Sequence, residues 1–309
     1  MIKIALLGAT SHVAKGLIYH FSKDNQLELS LYARSPERVK TFLHSIDADN
    51  DIAIKTITEF TNAQCDAIVN CIGIGDPSKL SGNSGALFAL TESIDGLILD
   101  YLSKNPQCVY INFSSGAAYG HDFMQAAHER KLSCWNINSL KEADVYGIAK
   151  LCSEVKHRAL MNFSIVDLRL FTYFSRFVDE NSKFLMTEIL SCIRQQRELV
   201  TNSEDIVRDY IHPRDLSGLI MSCIKKMKLN TAFDVYSGQP VTKFKILDFF
   251  SQHYDLRYRI EAGAAVASIT GTKMNYYSLN KRAGQEVDYE PQFTSMEAIA
   301  LEAAVLLRS

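Results

Sequence analysis

Met1-Ile2-Lys3-Ile4-Ala5-Leu6-Leu7-Gly8-Ala9-Thr10-Ser11-His12-Val13-Ala14 opens the chain with a short apolar run, a glycine, and a turn that enters a second apolar segment. Such a run, closed by glycine, reads as a buried strand. It has neither a cleavage site nor a spanning length, so no targeting or membrane segment is expected there. Val13 to Ser22 is predicted to be a helix, Leu27 to Tyr32 a second strand, and Pro36 to Ser45 a second helix. Ile52 to Ile57 is a candidate third strand, and Asp66-Ala67-Ile68-Val69-Asn70-Cys71-Ile72-Gly73 a fourth. Leu87 to Leu102 has apolar residues at helical spacing; Val109 to Phe113 and Ile165 to Leu170 complete the strand candidates. Short apolar strands alternating with helices predict a doubly wound parallel sheet of Rossmann type.

That rhythm stops after Leu170. A polar loop from Ser175 to Lys183, a helix before Leu199, mixed short runs beyond 235 and a final helix from Ser295 to Leu307 suggest a smaller C-terminal substrate-binding lobe. The expected division is a dinucleotide-binding domain over 1–170, with 206–234 returning to it, and a substrate lobe of 171–205 and 235–309. Its length of 309 residues suits two such lobes. Hydrophobic residues at 47%, charged residues at 22% and a net charge of -2 describe a globular, soluble chain, and the cytoplasm is its expected place. They give no footprint for nucleic acid and no membrane partner. Seven cysteines (Cys65, Cys71, Cys108, Cys134, Cys152, Cys192, Cys223) without a Cys-x-x-Cys step read as reduced, buried thiols, so no metal is expected.

A pyrophosphate-binding turn after the first strand would ask for glycine at 8, 11 and 14, and only Gly8 is kept. Ser11 can turn the chain and donate its hydroxyl or amide to phosphate, while Ala14 adds one methyl where the helix nears the sheet. The same letters fit an ordinary strand-turn-helix with a serine N-cap. At the end of the second strand, Tyr32-Ala33-Arg34-Ser35-Pro36-Glu37-Arg38 offers no carboxylate at the strand end for the ribose hydroxyls, but Arg34 and Ser35 for a 2′-phosphate. This favours NADP(H), with NAD(H) as the alternative. The expected cofactor contacts are Gly8, Thr10, Ser11, His12 and Val13 in the turn, Arg34 and Ser35, then Cys71 and Gly73 after the fourth strand.

Tyr146-Gly147-Ile148-Ala149-Lys150 places a phenol and an ammonium one helical turn apart, on one face. The ammonium beside the phenol would favour its ionised form, so that Tyr146 can exchange a proton with an alcohol or ketone. Val109-Tyr110-Ile111-Asn112-Phe113 delivers Ser114-Ser115-Gly116-Ala117 at a strand end, where such sheets present reactive groups. The predicted catalytic set is Ser115, Tyr146 and Lys150, with Tyr146 and Lys150 also touching the cofactor.

This layout resembles the extended short-chain dehydrogenase/reductase superfamily, and within it the nucleotide-sugar epimerase, dehydratase and reductase family. Besides Gly8, Ser115, Tyr146 and Lys150, the resemblance takes in Val207-Arg208-Asp209-Tyr210-Ile211-His212 and Phe233-Asp234-Val235-Tyr236-Ser237-Gly238. It implies that Arg208 contacts the nucleotide diphosphate, that Lys183 and Phe184 meet a nucleotide-sugar, and that Ser115 with these three forms the substrate site. It also implies a homodimer through the helices at Ser84 to Lys104 and Tyr146 to Met161. Two departures narrow the activity. Family dehydratases carry Thr-Asp-Glu where this chain has Ser115-Gly116-Ala117, and reductases that also epimerise carry a cysteine at Ala117 and a histidine at Lys183. What remains is a one-way 4-ketoreductase of a 4-keto-6-deoxy nucleotide-sugar or a 4-epimerase; a non-catalytic NADP(H)-binding regulator has no need of the Ser, Tyr and Lys set. His212 fits a contact to a phosphate or ribose, but reads first as a structural histidine paired with Asp209 or Asp215. Trp135 fits either the sugar site or lobe packing, while His121, His128, His157 and His253 have no partner that the sequence places.

Overall fold

A computed structural model of the chain describes residues 1–48, 52–73, 84–226, 228–261, 263 and 273–308. The first half runs β1 (Ile2–Leu7), α1 (His12–Phe21), β2 (Leu27–Ala33), α2 (Pro36–Ser45), β3 (Ala53–Thr56), β4 (Ala67–Asn70), α3 (Ser84–Lys104), β5 (Val109–Ser115), α4 (Glu142–Ala159) and β6 (Ser164–Leu170). These strands pair in parallel in the order β3-β2-β1-β4-β5-β6, and a seventh strand, Asn230–Asp234, joins beside β6. The order reverses between β1 and β4, which opens a crevice beyond their C-terminal ends.

Alternation within β1 shows why the sheet is covered on both faces. Ile4 and Leu6 enter a core with Leu17, Ile18, Leu219 and Ile220, whereas Ala5 and Leu7 enter another with Ile98, Leu102, Tyr110 and Ile165. Each fully buried large side chain contributes about 1.5–3 kcal/mol, before the entropy of ordering the chain is set against it.

The second half contains β7 (Thr172–Tyr173), α5 (Leu185–Arg194), β8 (Leu199–Thr201), β9 (Val207–Arg208), β10 (Tyr210–Ile211), α6 (Pro213–Lys226), β11 (Asn230–Asp234), β12 (Val241–Thr242), α7 (Lys243–Tyr254), β13 (Tyr258–Ile260), β14 (Asn275–Tyr276), α8 (Arg282–Val287) and α9 (Ser295–Arg308). Helices α5, α7 and α9 share a separate core of Ile189, Leu190, Leu247, Phe250, Ile299 and Ala303. Strand β11, Asn-Thr-Ala-Phe-Asp, lacks a continuous apolar run, and residue pattern alone does not single it out as a strand. Helix α4 begins before Tyr146 because Asp144 accepts the Lys141 amide at 2.8 Å and closes its first turn. Among the described residues no helix is long and apolar enough to cross a membrane.

Candidate active site

Gly8 ends β1 at a φ of +78°, in the left-handed region. A Cβ there would lie 2.9 Å from the Cys71 carbonyl carbon and the Ile72 nitrogen, so the turn passes β4 closely only because the side chain is absent. The Gly8 and Ala9 amides both donate to the Tyr32 carbonyl, at 2.9 and 3.1 Å, which ties the turn to β2. The Ser11 amide, expected to be available to phosphate, instead donates to the Gly8 carbonyl at 2.9 Å. Ser11 Oγ accepts the Ala14 amide at 3.3 Å, so this residue is a helix N-cap whose hydroxyl proton is still available. Thr10 lies in the turn, and His12 and Val13 open α1, where first-turn amides have no partner inside the helix and favour an anion.

Two of the expected contacts are confined to backbone. The His12 ring turns away, with Nε2 2.9 Å from Ser175 Oγ and its edge on Tyr173; burial lowers its pKa to about 4, against the Ser175 bond. The Cys71 thiol is buried in the core, which pushes its pKa up, and its amide donates to the Leu7 carbonyl at 2.9 Å. Val13 packs against the same core, and Gly73 lies next to Lys150 Nζ. Just past β2, Arg34 is exposed, and Ser35 makes no side-chain cap to α2. Lys15 on α1 stands near this edge; burial first and then the charge of Arg38 lower its pKa.

At the end of β5, Ser115 Oγ accepts the Ala117 amide at 3.2 Å and lies 3.2 Å from Tyr276 Oη. Tyr276, only 2% exposed, packs on Phe123 and Phe171 at centroid distances of 4.8 and 5.2 Å. Burial raises its pKa, and the nearby Tyr146 adds to that effect. Lys150 Nζ donates to the Phe113 carbonyl at 2.7 Å and lies 5.9 Å from the centre of the Tyr146 ring. A Cβ on Gly147 would fall 2.6 Å from Trp135, which places the indole against α4 beside Tyr146.

Arg208 reaches this group from β9. Its Nη1 donates to the carbonyls of Val207 and Lys273 at 2.8 and 2.7 Å, and its guanidinium carbon lies 5.8 Å from the Tyr276 ring centre. Lys273 Nζ lies 4.5 Å from the same ring, and burial, then the charge of Arg208, lower its pKa to about 8. Sequence reasoning missed Tyr276 and Lys273, which carry no motif spacing. Lys183 is exposed and Phe184 is the N-cap of α5; among the described residues neither shares a hydrogen bond, ion pair or ring contact with the Ser115 group. Thr172, just beyond β6, has a buried hydroxyl without a hydrogen-bond partner among the described residues.

The histidines left without partners also find them. His157, 0% exposed, sits between Asp167 and Asp95, each 2.9 Å from a ring nitrogen. Burial alone would lower its pKa, but the bonds to Asp167 and Asp95 and their charges raise it to about 9. Asp167 also takes Asn112 Nδ2 at 2.7 Å and Arg158 Nη2 at 3.1 Å. His121 bonds Asp144, His128 Nδ1 accepts the Arg130 amide at 3.3 Å, and His253 bonds the Phe249 carbonyl. His212 is structural as expected, but its acidic partner is Glu302 of α9 at 3.5 Å; Asp209 accepts from Ser237 and Ser295, and Asp215 from Gln292 and Phe293.

Solved structures of like fold span the whole chain. The fold matches dTDP-glucose 4,6-dehydratase from Bacillus anthracis in complex with NAD, with a TM-score of 0.80 at 11% identity, over 100% of this chain and 97% of that one. It matches UDP-glucuronic acid 4-epimerase from Bacillus cereus, in complex with UDP-glucuronic acid and NAD, with a TM-score of 0.79 at 13% identity over 99% of each chain. It also matches UDP-glucose-4-epimerase from Stenotrophomonas maltophila, with bound NAD and formylated UDP-arabinopyranose, with a TM-score of 0.80 at 13% identity over 100% of both. No curated protein matches at the level of sequence. The profile of one family covers residues 4–236, and with that match the chain belongs to the NAD dependent epimerase/dehydratase family, enzymes of the extended short-chain dehydrogenase/reductase type.

Proposed function

We propose that the enzyme uses NADPH to reduce the C4 ketone of a 4-keto-6-deoxy nucleotide-sugar. A dinucleotide fits the crevice on this chain's own features: the Gly8 cradle that a Cβ would fill, the open amides at the start of α1, and the orphan Thr172 hydroxyl. When bound, the cofactor supplies the hydride. The observation that carries the NADPH reading is the basic edge after β2, where Arg34, with Lys15 and Arg38 nearby, stands in place of a carboxylate.

In this reading Tyr146 gives its phenolic proton to the C4 oxygen, and Ser115 Oγ hydrogen-bonds the same oxygen as charge develops. Lys150, fixed by the Phe113 carbonyl, holds a positive charge at the cofactor side of Tyr146. Arg208 and Lys273, two cations brought together at the Tyr276 ring, support an anion-binding site for the diphosphate, a remote contact that positions the reacting carbon. Lys183 and Phe184 belong to the proposed substrate contacts only on a bound conformation of the loop before α5. A second reading, a 4-epimerase with retained NAD, is favoured by the NAD in the solved 4-epimerases of like fold. For either, a homodimer through α3 and α4 is proposed, with its mass in solution as the check.

The deciding experiment offers NADPH and NADH, with a panel of 4-keto-6-deoxy nucleotide-sugars, to the purified enzyme. Oxidation of NADPH on one of them supports the reductase. Silence across the panel, with NAD retained in the protein, supports the epimerase.

A further inference from the structure

Cys65 and Cys108 lie side by side at the end of the sheet opposite the crevice, immediately before β4 and β5. Their sulfurs are 3.9 Å apart, in van der Waals contact, although the residues are 43 positions apart in sequence. Neither is held in the strand ladder: Cys65 follows the 3-10 turn of residues 57–62, and Cys108 follows the turn after α3. A disulfide needs the sulfurs at about 2 Å, so the pair must close by roughly 2 Å through side-chain rotation and small shifts of two irregular segments. Tyr101 completes the cluster, with Oη 3.5 Å from Cys65 Sγ and 3.4 Å from the Cys65 amide.

We propose that Cys65 and Cys108 form a reversible dithiol–disulfide site that a peroxide oxidises within one chain. The two thiols differ in the way this chemistry needs. Cys65 is half-buried, and hydrogen bonding from Cys108, then against burial the bond to Tyr101, draws its pKa below the usual thiol value. Cys108 is 3% exposed, and its bond to Cys65 and its burial raise its pKa. Cys65, the more accessible of the two, is the attacking thiol and the buried Cys108 the resolving one. In the first step the Cys65 thiolate attacks one peroxide oxygen; the O–O bond breaks, sulfur is oxidised to sulfenic acid, and the released hydroxide takes a proton to become water. In the second, Cys108 sulfur displaces the sulfenic hydroxyl; the S–S bond forms and the thiol proton leaves with that hydroxyl as a second water. The link would enclose β4 and α3, including the Cys71–Gly73 rim of the crevice, without touching Ser115, Tyr146 or Lys150.

The test treats the reduced full chain with hydrogen peroxide and maps its thiols by mass spectrometry, beside Cys65→Ser and Cys108→Ser. The wild type is expected to lose about 2 Da, as one internal link between Cys65 and Cys108, to regain it with dithiothreitol, and to melt at a higher temperature while linked. In Cys108→Ser, Cys65 is expected to stop at sulfenic acid and be trapped by dimedone. The exposed Cys134 and Cys152 serve as internal controls. Oxidation of those two while Cys65 and Cys108 stay free thiols, or linkage of Cys65 to any other cysteine, overturns the proposal. Activity is not a readout, so failure here and failure of the ketoreductase reading are separate events.

Discussion

Two clusters of ionisable groups lie along β5, and they differ in how much of their hydrogen-bonding capacity is committed. In the middle of the strand, Asn112 joins the buried group of His157, Asp95 and Asp167, where both ring nitrogens of the histidine are bonded to carboxylates. At its end, Ser115 meets one amide and one other hydroxyl, and Lys150 holds one backbone carbonyl. A histidine paired on both ring nitrogens gives a fixed structure, because an unpaired charge there would be costly. A site that must bind and release has donors and acceptors in reserve. The contrast separates groups that hold the sheet together from groups proposed to meet a ligand, even though both are rich in charge.

The largest expected effect sharpens the open side. Tyr146→Phe keeps the ring and removes the proton, and should lower turnover by about 10²–10⁴-fold with the fold intact, read by NADPH oxidation beside circular dichroism. On the closed side, Asp167→Ala leaves His157 and Arg158 without their shared carboxylate and should cost about 3–5 kcal/mol of stability in urea unfolding. Loss of activity without loss of stability in that variant would break the comparison.

The pH dependence of stability comes next. The folded pKa of His157, about 9, lies above its unfolded value of about 6.5. Its contribution is therefore fully present below about pH 6.5 and is lost as pH rises through about 9. Unfolding free energy should fall across that window, and His157→Gln should flatten the fall; an unchanged slope would remove His157 as the cause. The smallest effect falls on the exposed edge. Arg34→Ala should weaken NADPH binding by about tenfold, roughly 1.4 kcal/mol, and leave NADH binding unaltered in a fluorescence titration. Equal losses for both cofactors would reassign Arg34 to general electrostatics.

Much of the sheet was legible because its signals are local. Helix α2 begins at Pro36, where proline suits a helix start, and ends at Ser45, both as read from the letters. The strands β1, β4, β5 and β6 announce themselves as short apolar runs, while β11 does not, since its alternating Asn, Thr, Ala, Phe and Asp borrow their place from β6. The turn was legible only in part: glycine at position 8 is demanded by φ and by the approach of β4, but the commitment of the Ser11 amide to Gly8 depends on the turn's closed shape.

By itself the sequence determined the order of strands and helices as far as Leu170, the place of Gly8, and the Tyr146 and Lys150 spacing, because period and short-range sterics act between residues near in the chain. Tertiary structure alone decided that Tyr276 would bond Ser115 from 161 positions away, that Lys273 would sit by Arg208, and that His157 would lie between two carboxylates. Such contacts have no sequence period. They exist because the fold brings side chains distant in the chain together and removes water, and burial then favours a partner for a polar group.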